Sequence, residues 1–406
     1  MNRLVETIPP SAIRALNDRK RPDAIDLGLG QPLLHPQMDP LRAALSWVEQ
    51  HGCPYSPNAG FAELRTAIAQ HYGYPGLESA DSVCITVGSQ QALYLPIKSL
   101  LDPSQDEALV ITPTFPAYQK LCHLEGVRVR EVALDPTTGF APDAQAVLRA
   151  VTDKTRLIAL ASPCNPTGRV WPASELRALC EGLLALPNPP YLLSDEVYAE
   201  LYFSEERPAS PAQFYPHTLV ASSLSKSCAL TGLRLGWLLA PKAAMKVMWK
   251  AHQFVVSCVD TLAQRTALEI FAHPEILTKH RPHYLAQRDA LALTEGLVRL
   301  DTRNPPGNER VAVDFLAERL RALEGVEVHV LDVGDGRANL LARLKAGAPK
   351  RRPVIVMGHL DVVGTQDERW STRPLVPTIR GGVLYGRGVI DDKGPLAATL
   401  AALLQL

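Results

Sequence analysis

The sequence predicts an α/β fold in which a mainly parallel sheet is covered by helices, followed by a second, smaller α/β region. Three observations predict it. Short apolar runs alternate with amphipathic stretches from about Ser82 to Ala240. Hydrophobic residues make up 46% of the 406 residues and charged residues 21%, which can fill a large core in an ordinary globular chain. The alternation then restarts near Leu291, after a mostly helical stretch over residues 245–292.

Taken in order, residues 83–87 read as a strand and 90–101 as a helix. The pair recurs at 108–111 with 116–125, and at 157–161 with 173–185. Residues 191–194, 218–221 and 235–239 are further strands. Short apolar strands separated by amphipathic helices mean a parallel sheet buried on both faces. Beyond 291, residues 293–300 and 309–323 read as helices around Asn304-Pro305-Pro306-Gly307. Residues 326–333, 338–344 and 353–357 read as strands. Gly381-Gly382 sits in a hairpin before Leu384-Tyr385, and 393–406 closes as a helix. Two domains follow, 1–290 and 291–406, with a junction inside a predicted helix.

Composition excludes several function classes. Lys+Arg and Asp+Glu number 42 each, so the net charge is +0 and no basic footprint for nucleic acid or an anionic membrane exists. No apolar run reaches the roughly 18–20 residues that span a bilayer, and Met1-Asn2-Arg3-Leu4-Val5-Glu6 lacks a signal-peptide core. The 7 Cys show no CxxC spacing, which fits reduced thiols. The expected location is cytoplasmic.

Chemistry concentrates at a few loops. Ser223-Leu224-Ser225-Lys226 precedes Gly232, Arg234 and Gly236. A lysine flanked by small hydroxyl residues suits an amine that must lose its proton to attack an aldehyde, and Arg234 can meet a phosphate with its planar fork. Taken alone, such a pair is ordinarily two solvated charges. Asn165-Pro166-Thr167-Gly168 follows the strand at 157–161 and is at least a tight turn. Asp195-Glu196-Val197-Tyr198 follows the strand at 191–194, where a carboxylate at a strand's C-terminal end faces the ligand side of a parallel sheet. Gly88-Ser89-Gln90-Gln91 joins a strand to a helix, either as a plain cap or as an anion site made of backbone N–H groups.

In this order the motifs resemble those of fold type I enzymes that use pyridoxal phosphate (PLP), within the class I/II aminotransferase family, over residues 1 to about 290. The resemblance implies an aminotransferase of amino acids and 2-oxo acids, with PLP held as a Schiff base on Lys226. Asp195 would pair with the pyridine nitrogen, Asn165 and Tyr198 with the phenolic oxygen, and Phe115 would stack on the ring. Ser89, Gln90, Ser223 and Arg234 would hold the phosphate. Tyr55 resembles the tyrosine that reaches a partner subunit's phosphate, which implies a homodimer. Gly30, in Gly28-Leu29-Gly30-Gln31-Pro32, would lie with Asn165 near the substrate carboxylate. The family pattern is left around Arg288-Asp289-Ala290. The family's small domain and its carboxylate-gripping arginine are therefore expected to be missing and transamination to be impaired.

A second group of motifs lies further on. Gly358-His359-Leu360-Asp361 precedes Trp370, Pro374, Pro377, Leu384-Tyr385-Gly386-Arg387-Gly388 and Asp391-Asp392-Lys393-Gly394. A lone HxD is most often a satisfied loop pair. The whole string, with Pro305-Pro306-Gly307-Asn308-Glu309 before it, resembles the N-terminal part of the M20 zinc metallopeptidases and desuccinylases. By that resemblance His359 and Asp391 would bind zinc, with Asp361 orienting His359. Two ligands make an incomplete site, so no hydrolase activity is expected. Three readings follow: a PLP aminotransferase, an M20-type hydrolase fragment, or a non-catalytic fusion of two truncated enzymes.

Overall fold

The apolar runs of residues 83–239 form one seven-stranded sheet in the computed structural model, which describes residues 3–9, 15, 18, 30–345, 347, 352–366, 369–380 and 383–403. Gly28 and Leu29 of the N-terminal motif, the Gly381-Gly382 turn and residues 404–406 lie outside the described residues. The chain divides into two compact units, Met1–Arg281 and Pro282–Leu406.

The strands of the first unit are β1 (Val83–Val87), β2 (Glu107–Thr112), β3 (Arg128–Ala133), β4 (Thr155–Ala161), β5 (Tyr191–Asp195), β6 (Thr218–Ser223) and β7 (Leu235–Leu239). Their order is β1-β7-β6-β5-β4-β2-β3. Strands β3, β2, β4, β5 and β6 pair in parallel, and β7 runs antiparallel to both of its neighbours. The reversal has a local cause. A parallel return needs a crossover of a dozen or more residues, commonly a helix, and the link between β6 and β7 is short and holds only a 3₁₀ turn. The loop with Lys226 and Arg234 is therefore a tight return at the sheet edge.

Alternate strand residues supply two faces. Cys84, Leu157, Ala159 and Leu238 join one core cluster with the helices α3 (Gly88–Leu100), α4 (Ala117–Leu124) and α7 (Lys242–Val255). Val83, Ile85, Trp237 and Leu239 face α2 (Ala62–Tyr72) and α8 (Thr261–Ala272), while Ile158 and Leu160 face α5 (Ala144–Ala150) and α6 (Ala173–Leu184). Period-2 alternation into two buried faces is what an α/β sheet requires, and each buried Leu or Ile stabilises by about 1.5–3 kcal/mol. Helix α1 (Met38–His51) packs on α8. Asp143 and Asp260 cap α5 and α8 by accepting from the backbone N–H of Ala146 and Ala263. Strand β3 is an addition to the sequence expectation.

The second unit is built differently. Helix α9 (Arg281–Arg299) and α10 (Glu309–Arg321) share a core with α11 (Lys393–Leu403) through Leu293, Leu297, Leu316, Leu320 and Ala397. Strands Val326–Gly334 and Arg337–Leu344 form a hairpin over Asp335-Gly336, both at positive φ, as a type I′ turn demands. Two further two-stranded pieces join Arg303–Asn304 to Val362–Val363, and Thr378–Arg380 to Val383–Tyr385. Residues 353–357, expected as a strand, are not one: Val354 is 87% exposed and Met357 88%, and among the described residues no strand pairs with them. An apolar β-branched run suits a ladder but does not create one, because the strand's backbone groups need a neighbour.

Candidate active site

The parallel pairing turns the C-terminal ends of β2, β4, β5 and β6 to one edge of the sheet. Strand β1 has the same direction as β6, since both are antiparallel to β7. Ser89, Phe115, Asn165, Asp195, Tyr198, Ser223 and Lys226 all stand at or after these ends, and Arg234 stands just before β7. Topology alone thus gathers segments spread over more than a hundred residues.

Lys226 Nζ donates to the Gly30 carbonyl oxygen and lies 6.0 Å from the centroid of the Tyr198 ring. Burial, with the Arg234 guanidinium nearby, holds its pKa below the ordinary lysine value, so the neutral nucleophilic amine is reached more easily. Asp195 ends β5, the middle strand, and is 9% exposed. Its Oδ2 accepts from the Tyr118 hydroxyl at 2.7 Å and its Oδ1 from the Val197 N–H at 3.2 Å. Burial outweighs these bonds and pushes the carboxyl up to about 6. Above that pH it is a buried anion with no ion pair among the described residues, suited to a cationic partner. The Asn165 side chain hydrogen-bonds the Tyr198 hydroxyl, and burial raises the pKa of that phenol.

A second cluster is made by close backbone approach. Gly88 opens α3 at φ +68°, and a Cβ there would meet Arg234 Nη2 at 2.4 Å. A Cβ on Gly236 would lie 2.5 Å from the carbonyl carbon of Gly88 and 2.6 Å from Ser89 N. Only glycine lets β7 run this close to the start of a thirteen-residue helix. A guanidinium beside a helix N-terminus makes an anion cradle. Ser223, 2% exposed, accepts from the Ser225 N–H at 3.4 Å.

The other expected residues stand as follows. Ser89 is half-buried and Gln90 exposed. Phe115 is half-buried, edge-on to Tyr118 at 6.2 Å between ring centres. Tyr55 is 93% exposed. Sequence reasoning missed Tyr118, because nothing at the start of α4 marks the residue that will reach Asp195. It also missed the network behind it. Glu196, 3% exposed, accepts from Ser194 at 3.1 Å, Ser210 at 2.5 Å and Tyr74 at 3.1 Å, and Arg207 bridges it to Glu200. These bonds pin the 195–198 segment from below.

In the second unit His359 Nδ1 lies 3.1 Å from Asp361 Oδ1 and Nε2 lies 3.0 Å from Asp391 Oδ1, while Asn304 donates to Asp361 at 3.1 Å. Burial works against protonation of His359, but the two carboxylates win and its pKa is raised. Among the described residues no group of three or more His, Cys, Asp and Glu is arranged to hold a metal ion.

Comparison with known proteins decides the family. The model for aminotransferase class I and II matches residues 22–308. The chain belongs to that family. It is similar to the aspartate/prephenate aminotransferase of Thermus thermophilus, 34% identical over 342 residues, covering 80% of this chain and 87% of the relative. The aspartate aminotransferase of Pyrococcus horikoshii is 31% identical over 273 residues, 66% of this chain and 69% of that one. Among solved structures, the aspartate aminotransferase from Thermus thermophilus with maleate superposes with a TM-score of 0.67 at 33% identity, over 73% of this chain and 80% of that chain. An Escherichia coli protein described as having a methionine aminotransferase function gives a TM-score of 0.63 at 29% identity, over 72% of this chain and 80% of its own. The class I/II aminotransferases are PLP-dependent transaminases that act on small-molecule amino-acid substrates. A model for peptidase family M20/M25/M40 matches residues 355–406. Among the described residues no helix is long and apolar enough to cross a membrane.

Proposed function

We propose that this aminotransferase holds PLP as a Schiff base on Lys226 and moves amino groups between amino acids and 2-oxo acids. The observation that carries the reading is the meeting, at one sheet edge, of a desolvated lysine with a buried carboxylate raised to about 6. The anion cradle at Gly88, Arg234 and Gly236 supports it, since its chemistry suits a phosphate monoester. When bound, the cofactor supplies an electron sink for charge that develops at the substrate's α-carbon.

This chain's residues do the rest. Asp195 keeps a proton on the pyridine nitrogen. Asn165 and Tyr198 donate to the phenolic oxygen and stabilise it as an anion. Phe115 covers the ring face. Ser89, Gln90, Ser223 and Arg234 hold the phosphate, and Gly30 lies with Asn165 beside the substrate carboxylate. Lys226 Nζ would carry a proton from the substrate's α-carbon to the cofactor's former aldehyde carbon. The exposure of Tyr55 suits a residue that reaches across to a second copy in a homodimer. The relatives are named for aspartate, prephenate and methionine, so the donor is proposed only as an amino acid.

The test is the visible absorption spectrum of the purified chain with PLP, before and after an amino-acid mixture. A cofactor band that shifts on adding amino acids is the expected result. A band that does not respond sinks transamination, and no band at all sinks the cofactor site.

A further inference from the structure

The turn at Gly88-Ser89 is held from behind by a side chain that does not face the anion cradle. Gln91 lies in the first turns of α3 and is 8% exposed. Its Oε1 accepts from the Val87 N–H at 2.7 Å, and its Nε2 lies 3.1 Å from Nδ1 of His252. A backbone N–H can only donate, so Val87 fixes which end of the Gln91 amide is oxygen. The amide NH₂ can then only donate, so Nδ1 of His252 must accept. His252 is 0% exposed on α7, and burial lowers its pKa, with the backbone of Asn58 as a further polar neighbour. The ring is therefore neutral, with its proton on Nε2.

This chain of bonds ends one residue before the cradle. Val87 is the last residue of β1, and Gly88 follows at φ +68° with Arg234 and Gly236 packed against it. The first N–H groups of a helix have no intrahelical partner, and they serve as an anion site only if the turn that carries them stays put. Gln91 ties down the N–H just behind that turn, and His252 keeps the Gln91 amide from rotating. Nothing in the sequence ties them together, since they stand 161 residues apart.

We infer that Gln91, oriented by His252, is a positioning residue for the phosphate end of the cofactor and touches neither cofactor nor substrate. The inference rests on the PLP reading above. The roles differ by end of the cofactor: Lys226 and Asp195 act on the aldehyde and the ring, Gln91 on the phosphate alone. A probe without phosphate separates them.

The experiment compares the affinity of the full chain for PLP and for pyridoxal, by fluorescence titration, in the wild type, Gln91→Leu, Gln91→Glu and His252→Leu. Loss of Gln91's bond should weaken PLP binding roughly tenfold in Gln91→Leu while leaving pyridoxal affinity unchanged. Gln91→Glu keeps an acceptor facing Val87 N–H and should recover most of the preference for PLP. His252→Leu should show a smaller, equally phosphate-specific loss. Equal weakening of both ligands in Gln91→Leu would mean a general scaffold role and overturns the inference, as would no weakening of either. A wild type with no preference for PLP over pyridoxal would remove the cradle itself, a result distinct from a failure confined to Gln91.

Discussion

The two units carry motifs of similar density and do different things with them. In Met1–Arg281 the motifs stand at the ends of strands buried on both faces, such as β5 and β7, and the sheet delivers them to one edge. In Pro282–Leu406 the strands are short or exposed, as in Val326–Gly334, and His359 follows an unpaired stretch. His359, Asp361 and Asp391 meet each other there, with the two ring nitrogens at 3.1 and 3.0 Å from the two carboxylates. A motif becomes a site when a rigid element aims its side chains at a shared volume.

The sharpest break in that comparison is Lys226→Ala. It should abolish covalent PLP attachment, measured by intact mass after borohydride reduction, and cofactor still trapped in the variant would remove the first unit's advantage. Next comes Asp195→Asn, which keeps shape and removes charge. Amine-transfer turnover should fall by on the order of 100-fold. The same carboxylate predicts a pH limb. With its pKa raised to about 6, Asp195 is ionised above that pH and protonated below, so PLP affinity should drop as pH falls through 6. The Tyr118 hydrogen bond favours the ionised form, so Tyr118→Phe should move the limb to higher pH. A limb that stays put would mean another group sets it.

Smaller effects test the packing. Gly236→Ala forces a Cβ to within 2.6 Å of Ser89 N and should lower stability by about 1–3 kcal/mol, together with PLP affinity, by thermal melting and titration. The smallest effect on activity should come from the second unit. Lys393, 0% exposed, donates to the carbonyls of Leu297 and Leu300 at 2.9 Å and so closes the end of α9. Lys393→Met should cost about 1–3 kcal/mol there and open the second unit to limited proteolysis, while the PLP spectrum stays unchanged. A changed spectrum would show that the two units are coupled.

Much of the first unit was legible. Residues 83–87, 191–194 and 235–239 read as strands and are strands, because a fully buried strand writes itself as a short apolar run. Strand β3 was not legible: Arg128–Ala133 is polar and largely exposed, and only its pairing with β2 makes it a strand. Residues 353–357 failed in the opposite sense, having strand chemistry and no partner. At the site, Lys226, Asp195, Asn165 and Arg234 were all named from their motifs. Glu196 and Gln91 stood inside those motifs without a role, and Tyr118 and His252 stood outside them, since their partners Ser210, His252, Asp195 and Gln91 are distant in the chain.

The sequence by itself determined the buried apolar strands, the family, and the short β6–β7 link that forces β7 to run backwards. Tertiary structure alone decided that Tyr118 meets Asp195, that Gly236 presses on Gly88, and that Gln91 finds His252. Periodicity and turn chemistry act within a few residues and leave their mark on the local sequence. The choice of partner across seventy residues or more is made by packing against the whole sheet, and no single stretch of chain records it.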